Sequence, residues 1–315
     1  MPKIRGAVDT VARFSHSLPP IPPSEETLAR VQQLEPHAED HVRRQHVVSK
    51  VILRQFREPV GIKRELLLAG LALEHPEREP RHGGPDMFGK FPDFVRFASK
   101  IIEGVWQETE RKLQPVLKSV KIGTVFKSPE YAAVIREAVI LHIVRSIPAL
   151  AIHEIAWERN REAAREFLLQ YPDMLRRICR EHLGSDVANS SDALHTAIDH
   201  LLEDMVILKE QGAFFSVDLE ARFNRYREAA RNYGVEIASP KEGEYLISDV
   251  PALTVQDGEE IAGLANGIGL DFASEIILPL TPKHLAILRD DREISFSRIS
   301  RAEVRRYNVM QIRNA

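Results

Sequence analysis

The sequence predicts an α+β fold: a predominantly helical core, short antiparallel strands near the N- and C-terminal parts, and a C-terminal helix. Three observations predict it. Helical periodicity with capping signals fills about residues 92–233. Two β-rich runs punctuated by proline and glycine follow Gly234, over about 235–298. Ser300 and Glu303 stand in capping-box spacing and open a terminal helix over 300–315.

Taken in order, residues 1–40 read as a lead-in with a Pro-rich stretch, "SLPPIPPSEE", and a short helix that Ser24 would cap. Residues 41–315 read as a single α+β domain. The run 47–56 is balanced between strand, favoured by Val47, Val48, Val51 and Ile52, and helix, compatible with the spacing of Ile52, Gln55 and Phe56. "ELLLAGLALEHPEREPRHGGPDMFGKFPD" is broken by glycine and proline and suits short strands and loops. Ser128, Pro129 and Glu130 supply an N-cap, a proline in the first turn and an acid near the positive helix end. The helix they start is apolar at Ala132, Val134, Ile135, Val139, Ile140 and Ile143, so it is buried on most sides, and Pro148 bends or ends it. A further helix runs until Tyr171-Pro172. "DMLRRICREHLG" ends with Gly184 at a C-cap position, "VANSSDALHTAIDHLLEDMVILKEQG" is another capped helix, and "VDLEARFNRYREAARNYG" is one more. "EYLISDV" reads as a strand ending at Ser248-Asp249, with a Pro-Lys-Glu-Gly turn separating it from "VEIAS".

Composition narrows the function classes. The 315 residues are 43% hydrophobic and 28% charged with a formal net charge of −3, so no global basic field argues for nonspecific nucleic-acid binding. The single cysteine, Cys179, excludes internal disulfides and cysteine-rich metal sites. The N-terminus lacks a signal-peptide pattern, and no segment offers about 18 uninterrupted apolar residues. The expectation is a cytoplasmic protein without a membrane partner.

Several residues look chemically out of place. His46 lies beside arginines at the head of an apolar run, suited to acid–base work or ligation, or simply half-buried. Asp249 would sit at a strand exit, where a carboxylate is rigidly held and open at one end; an Asx turn is the plainer reading. His142 and Arg145 share one face of the apolar helix, and a buried Arg145 needs a carboxylate, for which Glu110 and Asp249 are the candidates. Such an arginine is either an anion clamp or a structural salt bridge. Arg136 and His142 also fit the loose arginine-to-histidine spacing of certain helical ribonucleases. "HTAIDHLLED" places His195, Asp199, His200, Glu203 and Asp204 on one helix, compatible with metal binding but more often a solvated polar face.

These pieces together resemble domain-of-unknown-function family 4238. "QHVVSKVILRQF" is similar to its N-terminal signature, "EAVILHIVRSIP" to its middle helix, and "EGEYLISDVPAL" with "ILPLTPKHLAIL" to its C-terminal part. The resemblance implies that His46, Leu53, Arg54, Phe56, Glu110, Arg145, Asp249 and Asn308 are signature positions. This chain departs at Ser49, where proline is usual, at Ile52, where tyrosine is usual, and at His142, where glutamine is frequent. The last departure weakens the ribonuclease spacing.

Two function classes follow. In the first, a hydrolase acts on a phosphodiester or other anionic substrate, with nucleic acid or nucleotide as partner. His46, Glu110 and Asp249 do the chemistry, and Arg54, His142, Arg145 and Asn308 bind substrate; the cofactor is open, a divalent metal ion included. In the second, the same residues form a closed polar network that fixes packing.

Overall fold

The structure, a computed structural model, describes residues 42–97, 99–183, 187, 190–256 and 262–315. The Pro-rich lead-in, the Ser24 cap and the Gly184 cap lie outside the described residues. The fold is α+β.

The chain opens with β1 (Arg44–His46), a short helix α1 (Lys50–Leu53) and a 3-10 turn over Arg54–Phe56. The balanced run 47–56 is therefore helical from Lys50 onward, with residues 47–49 in neither helix nor strand. Ser49 decides it locally, because its hydroxyl accepts the Val51 N–H and caps the turn. Then come β2 (Glu58–Val60), β3 (Glu65–Gly70), β4 (Arg81–Gly83) and β5 (Lys90–Pro92). Strands β2, β3 and β4 make an antiparallel three-stranded sheet, while β5 pairs with β1. The helices α2 (Ser99–Lys121), α3 (Pro129–Val144), α4 (Ile147–Gln170), α5 (Pro172–Leu183), α6 (Ser191–Glu210) and α7 (Ala213–Ala229) follow. β6 (Gly234–Pro240), β7 (Leu253–Val255), β8 (Glu275–Thr281), β9 (His284–Arg289), β10 (Ile294–Ile299) and α8 (Arg301–Arg313) complete the chain. Among the described residues no single helix is long and apolar enough to cross a membrane.

The described residues fall into two compact units. In the smaller, built around 151–221, Leu175 and Cys179 of α5 meet Ala197, Ile198 and Leu202 of α6. The three-and-four spacing along "LHTAIDHLL" produces this apolar stripe. Trp157 stacks on Phe214, with ring centroids 4.9 Å apart, and His153 binds Asp218 at 2.7 Å.

The larger unit, 42–94, 100–150 and 222–315, holds the main sheet, in the order β10-β6-β9-β8-β7. β8 and β9 form a hairpin in which Ile277 faces Ile287. Every residue of β7 and β8 is buried, which is why "EIILPL" is continuously apolar rather than alternating. α3 lies against β6, β8 and β9 and is buried throughout Ala138–Val144. Val304, Tyr307 and Met310 of α8 enter the core with Ile277, Ile287 and Leu253.

The structure differs from expectation at three places. The expected strand through "EYLISDV" is not a strand, because its backbone groups bond side chains of α8 instead of a neighbouring strand. Strand β6 pairs antiparallel with β9 but parallel with β10, since the chain reverses after β9 and β10 then lies on the far side of β6 rather than beside β9. Helix α7 begins at Ala213, earlier than "VDLEARF", because Phe214 and Phe215 pack inside the smaller unit. Ser128 does stand at the N-cap of α3, although its hydroxyl makes no capping bond.

The capping box at α8 is complete: the Ser300 hydroxyl accepts the Glu303 N–H at 3.3 Å, and the Glu303 carboxylate accepts the Ser300 N–H at 2.8 Å. Ser300→Ala is expected to cost about 1 kcal/mol, read as a lower urea midpoint. An unchanged midpoint would show that the box adds nothing to stability.

Candidate functional site

A polar cluster in the larger unit is built from three stretches far apart in sequence. The first is the β1–β5 ladder, whose register sets His46 opposite Lys90. Gly89 makes this possible. Its φ of +62° is left-handed, its carbonyl accepts the Val47 and Val48 N–H groups, and a Cβ there would meet Val48 at 2.8 Å. The second is α2, where Glu103, Trp106 and Glu110 recur at the three-and-seven spacing of one helical face. The third is the C-terminal end of α3, with His142 and Arg145.

Arg145 is 1% exposed, and its charge is fully engaged. Its Nε donates to the Val47 carbonyl at 3.3 Å, an NH2 group donates to Glu110 at 3.2 Å, and the guanidinium lies 4.7 Å from the Trp106 ring centre. Of the two carboxylates the sequence offers for this arginine, Glu110 is the partner. His142 is buried with both nitrogens engaged: Nδ1–H donates to the Ala138 carbonyl at 2.7 Å, and Nε2 accepts the Ser49 N–H at 3.2 Å. Burial first, then the nearby Arg145 charge, pushes the His142 pKa down to about 3, so the ring is neutral. The departures at Ser49 and His142 thus meet, since a proline at position 49 would have no N–H to give.

His46 is different. Its side chain is 13% exposed, yet neither ring nitrogen has a hydrogen-bond partner among the described residues. Burial, then Lys50, Lys90 and Arg145, lower its pKa to about 4 against the weaker opposite pull of Asp86. The imidazole is therefore neutral at pH 7, and its 3.6 Å approach to Asp86 is an ion pair only in acid. The Asp86 carboxylate also binds Lys50 at 2.6 Å and Lys90 at 3.6 Å. Glu103 adds a buried carboxylate oxygen without a partner, and desolvation raises its pKa against the pull of Arg145.

The residues singled out by sequence thus divide. His46, Glu110, His142 and Arg145 come together. Arg54 is exposed in the 3-10 turn, where the Arg57 side chain caps its carbonyl. Asn308 is part of a latch between α8 and the segment that carries Asp249. Asn308 accepts the Leu246 N–H and donates to the Glu244 carbonyl, while Gln311 accepts from Ser248 and donates to the Pro251 carbonyl. The turn is closed by the Ser248 hydroxyl accepting the Val250 N–H at 3.3 Å, one residue before the expected Asx turn. Desolvation raises the Asp249 carboxyl, opposed by its own N–H and that of Val250.

Sequence reading missed Lys50, Asp86, Lys90 and Glu103. Glu103 carried a signal, seven residues before Glu110 on one helical face. Asp86 and Lys90 carried none, because the β1–β5 pairing alone brings them in.

In the smaller unit, Arg165 binds Asp199 and approaches His195, and His200 lies 3.5 Å from Glu203. A groove of about 610 Å³ runs beside them, lined by Arg161, Arg165, Asp199 and Glu203 among others. Among the described residues no group of three or more His, Cys, Asp or Glu is placed to hold a metal ion.

A family model described as "Protein of unknown function (DUF4238)" matches residues 44–315. The chain belongs to that family. No curated protein and no solved structure matches this DUF4238 chain.

Two outcomes test this geometry. The φ of −58° at Ser49 already suits a proline ring, so Ser49→Pro should cost about 1–3 kcal/mol, chiefly through the orphaned His142 nitrogen. In a His142→Gln background the cost should shrink by at least about 0.5 kcal/mol, because an amide can reorient; strict additivity in a double-mutant cycle would refute the coupling. Below about pH 6.5 the unfolded chain protonates His46 and His142, whereas the folded chain resists to about 4 and about 3. Stability should therefore fall on acidification through that window, by up to about 1.4 kcal/mol per pH unit for each ring, and His142→Gln should flatten the slope.

Proposed function

We propose that this chain is a hydrolase acting on a phosphodiester or related anionic substrate, with His46 as the base. The observation that carries the reading is the pair of unpartnered nitrogens on a nearly enclosed His46 flanked by Lys50, Lys90 and Arg145. A closed structural network satisfies its own members, and this half of the cluster does not. Cations facing an unsatisfied imidazole favour a ligand that is negatively charged and offers a proton or accepts one.

The chemistry follows from the electrostatics. With a pKa of about 4, His46 keeps its lone pair free at neutral pH but is a weak base. An arriving anion offsets the flanking cations, raises the affinity of the ring for a proton, and so strengthens the base once substrate is bound. His46 then takes a proton from water as its oxygen attacks phosphorus. Lys50 and Lys90 balance the charge gathering on the phosphoryl oxygens. Glu103, whose pKa desolvation raises, is the carboxyl assigned to pass a proton to the departing oxygen.

The second reading, a packing network, is supported for the other half of the cluster. Arg145 is held by Glu110, the Trp106 ring and the Val47 carbonyl, and His142 by the Ala138 carbonyl and the Ser49 N–H. In this proposal they position β1 and α1 rather than touch substrate. Asn308 is likewise assigned to the α8 latch, and Asp249 to its local turn.

His46→Ala should lower cleavage of a dinucleotide or bis(p-nitrophenyl) phosphate by about 10²–10⁴ while leaving the circular dichroism spectrum intact. The acid limb of kcat/KM, which reports the free protein, should lie near pH 4, and that of kcat should lie higher. A wild-type chain inactive on phosphodiesters, or an active His46→Ala variant, would overturn the reading.

A further inference from the structure

We infer that the exposed Asp86 carboxylate occupies an oxyanion seat formed by His46, Lys50 and Lys90, and that a ligand's phosphate group displaces it. The inference rests on the His46 reading only for the sign of the ligand's charge.

Three distances define the seat. A single oxygen, Oδ1 of Asp86, lies 2.6 Å from Lys50 Nζ, 3.6 Å from Lys90 Nζ and 3.6 Å from His46 Nε2. Three nitrogens from two elements and a loop-bordered strand therefore converge on one oxygen position. The burial is graded. His46, Lys90 and Lys50 side chains are 13%, 26% and 36% exposed, whereas Asp86 is 70% exposed. The seat is thus part of the fold, and its occupant enters from the solvent side.

The occupant is also lightly held. Asp86 lies in the three-residue 3-10 turn Pro85–Met87, preceded by Gly84 in extended backbone and followed by Phe88 and the left-handed Gly89. Its contact with neutral His46 contributes no ion pair at pH 7, so Lys50 supplies the main attraction. Exposed ion pairs of this kind hold weakly and exchange partners readily. A phosphate oxygen has the same charge sign and acceptor geometry as the carboxylate oxygen, and a phosphate group can satisfy both lysines at once. It can also accept or donate a proton at His46, which the carboxylate at 3.6 Å does not. Displacement therefore meets a need at His46 that Asp86 leaves unmet.

The test is a calorimetric titration of the full chain with inorganic phosphate at pH 7 and low salt. Asp86→Asn should bind phosphate about fivefold or more tightly than wild type, because the anion no longer has to displace a charged carboxylate from Lys50. Two companions make the result specific. Glu58→Gln removes an equal charge from exposed β2 and should leave affinity at the wild-type value. Lys50→Met introduced into Asp86→Asn should abolish the gain. An Asp86→Asn affinity no higher than that of Glu58→Gln, or a gain that survives Lys50→Met, would overturn the inference. Cleavage is not read in this titration, so failure of the hydrolase reading leaves its outcome fully interpretable.

Discussion

The buried charge of Arg145 is the constraint on which the larger unit depends. A guanidinium that is 1% exposed must be neutralised and hydrogen-bonded where it lies, and among the described residues Val47, Glu110 and Trp106 hold it, with the Glu103 charge adding to the attraction. Those partners come from the β1–α1 connection and from α2. The end of α3 therefore cannot settle until both have arrived. Packing alone would tolerate small slides of one helix along another, but a bidirectional set of directed bonds does not. The same anchor fixes the path of residues 47–49, and with it the position of His46 one step earlier in the chain.

The polar cluster around that anchor has two characters. On the Arg145 side no atom of Arg145, Glu110 or His142 is buried without a partner among the described residues, and the histidine there, His142, has its tautomer set by Ala138 and Ser49. On the His46 side the matching stops, with two ring nitrogens and a Glu103 oxygen left over. Folding stability accounts well for the first half and poorly for the second, because leaving buried polar atoms unmatched costs free energy. A matched network supporting an unmatched one is the arrangement expected where rigidity serves a binding site.

How much of this was legible depended on whether the signal was local. The Ser300–Glu303 box and the apolar face of α3 could be read directly, since a cap and a helical stripe are encoded within a few residues. So could the need of Arg145 for a carboxylate. The segment 245–249 could not. Its composition suits a strand, and only the side chains of Asn308 and Gln311, about sixty residues away, divert its backbone from a ladder. Asp86 and Lys90 were equally silent, because no spacing connects "GGPDMFGK" with "RQH" before β1 pairs with β5.

By itself, then, the sequence determined the α+β class, the order and several boundaries of the helices, the family, and the chemical oddity of His46 and Arg145. Those properties follow from periodicity, capping and the cost of burying charge, which act over one or two turns of chain. Only the tertiary structure decided that Glu110 rather than Asp249 answers Arg145, that Asn308 and Gln311 latch the segment carrying Asp249 to α8, and that two lysines and an aspartate gather at His46. Hydrogen bonds and ion pairs act over a few ångströms in space whatever their separation in sequence, so which groups meet is settled by strand register and helix packing.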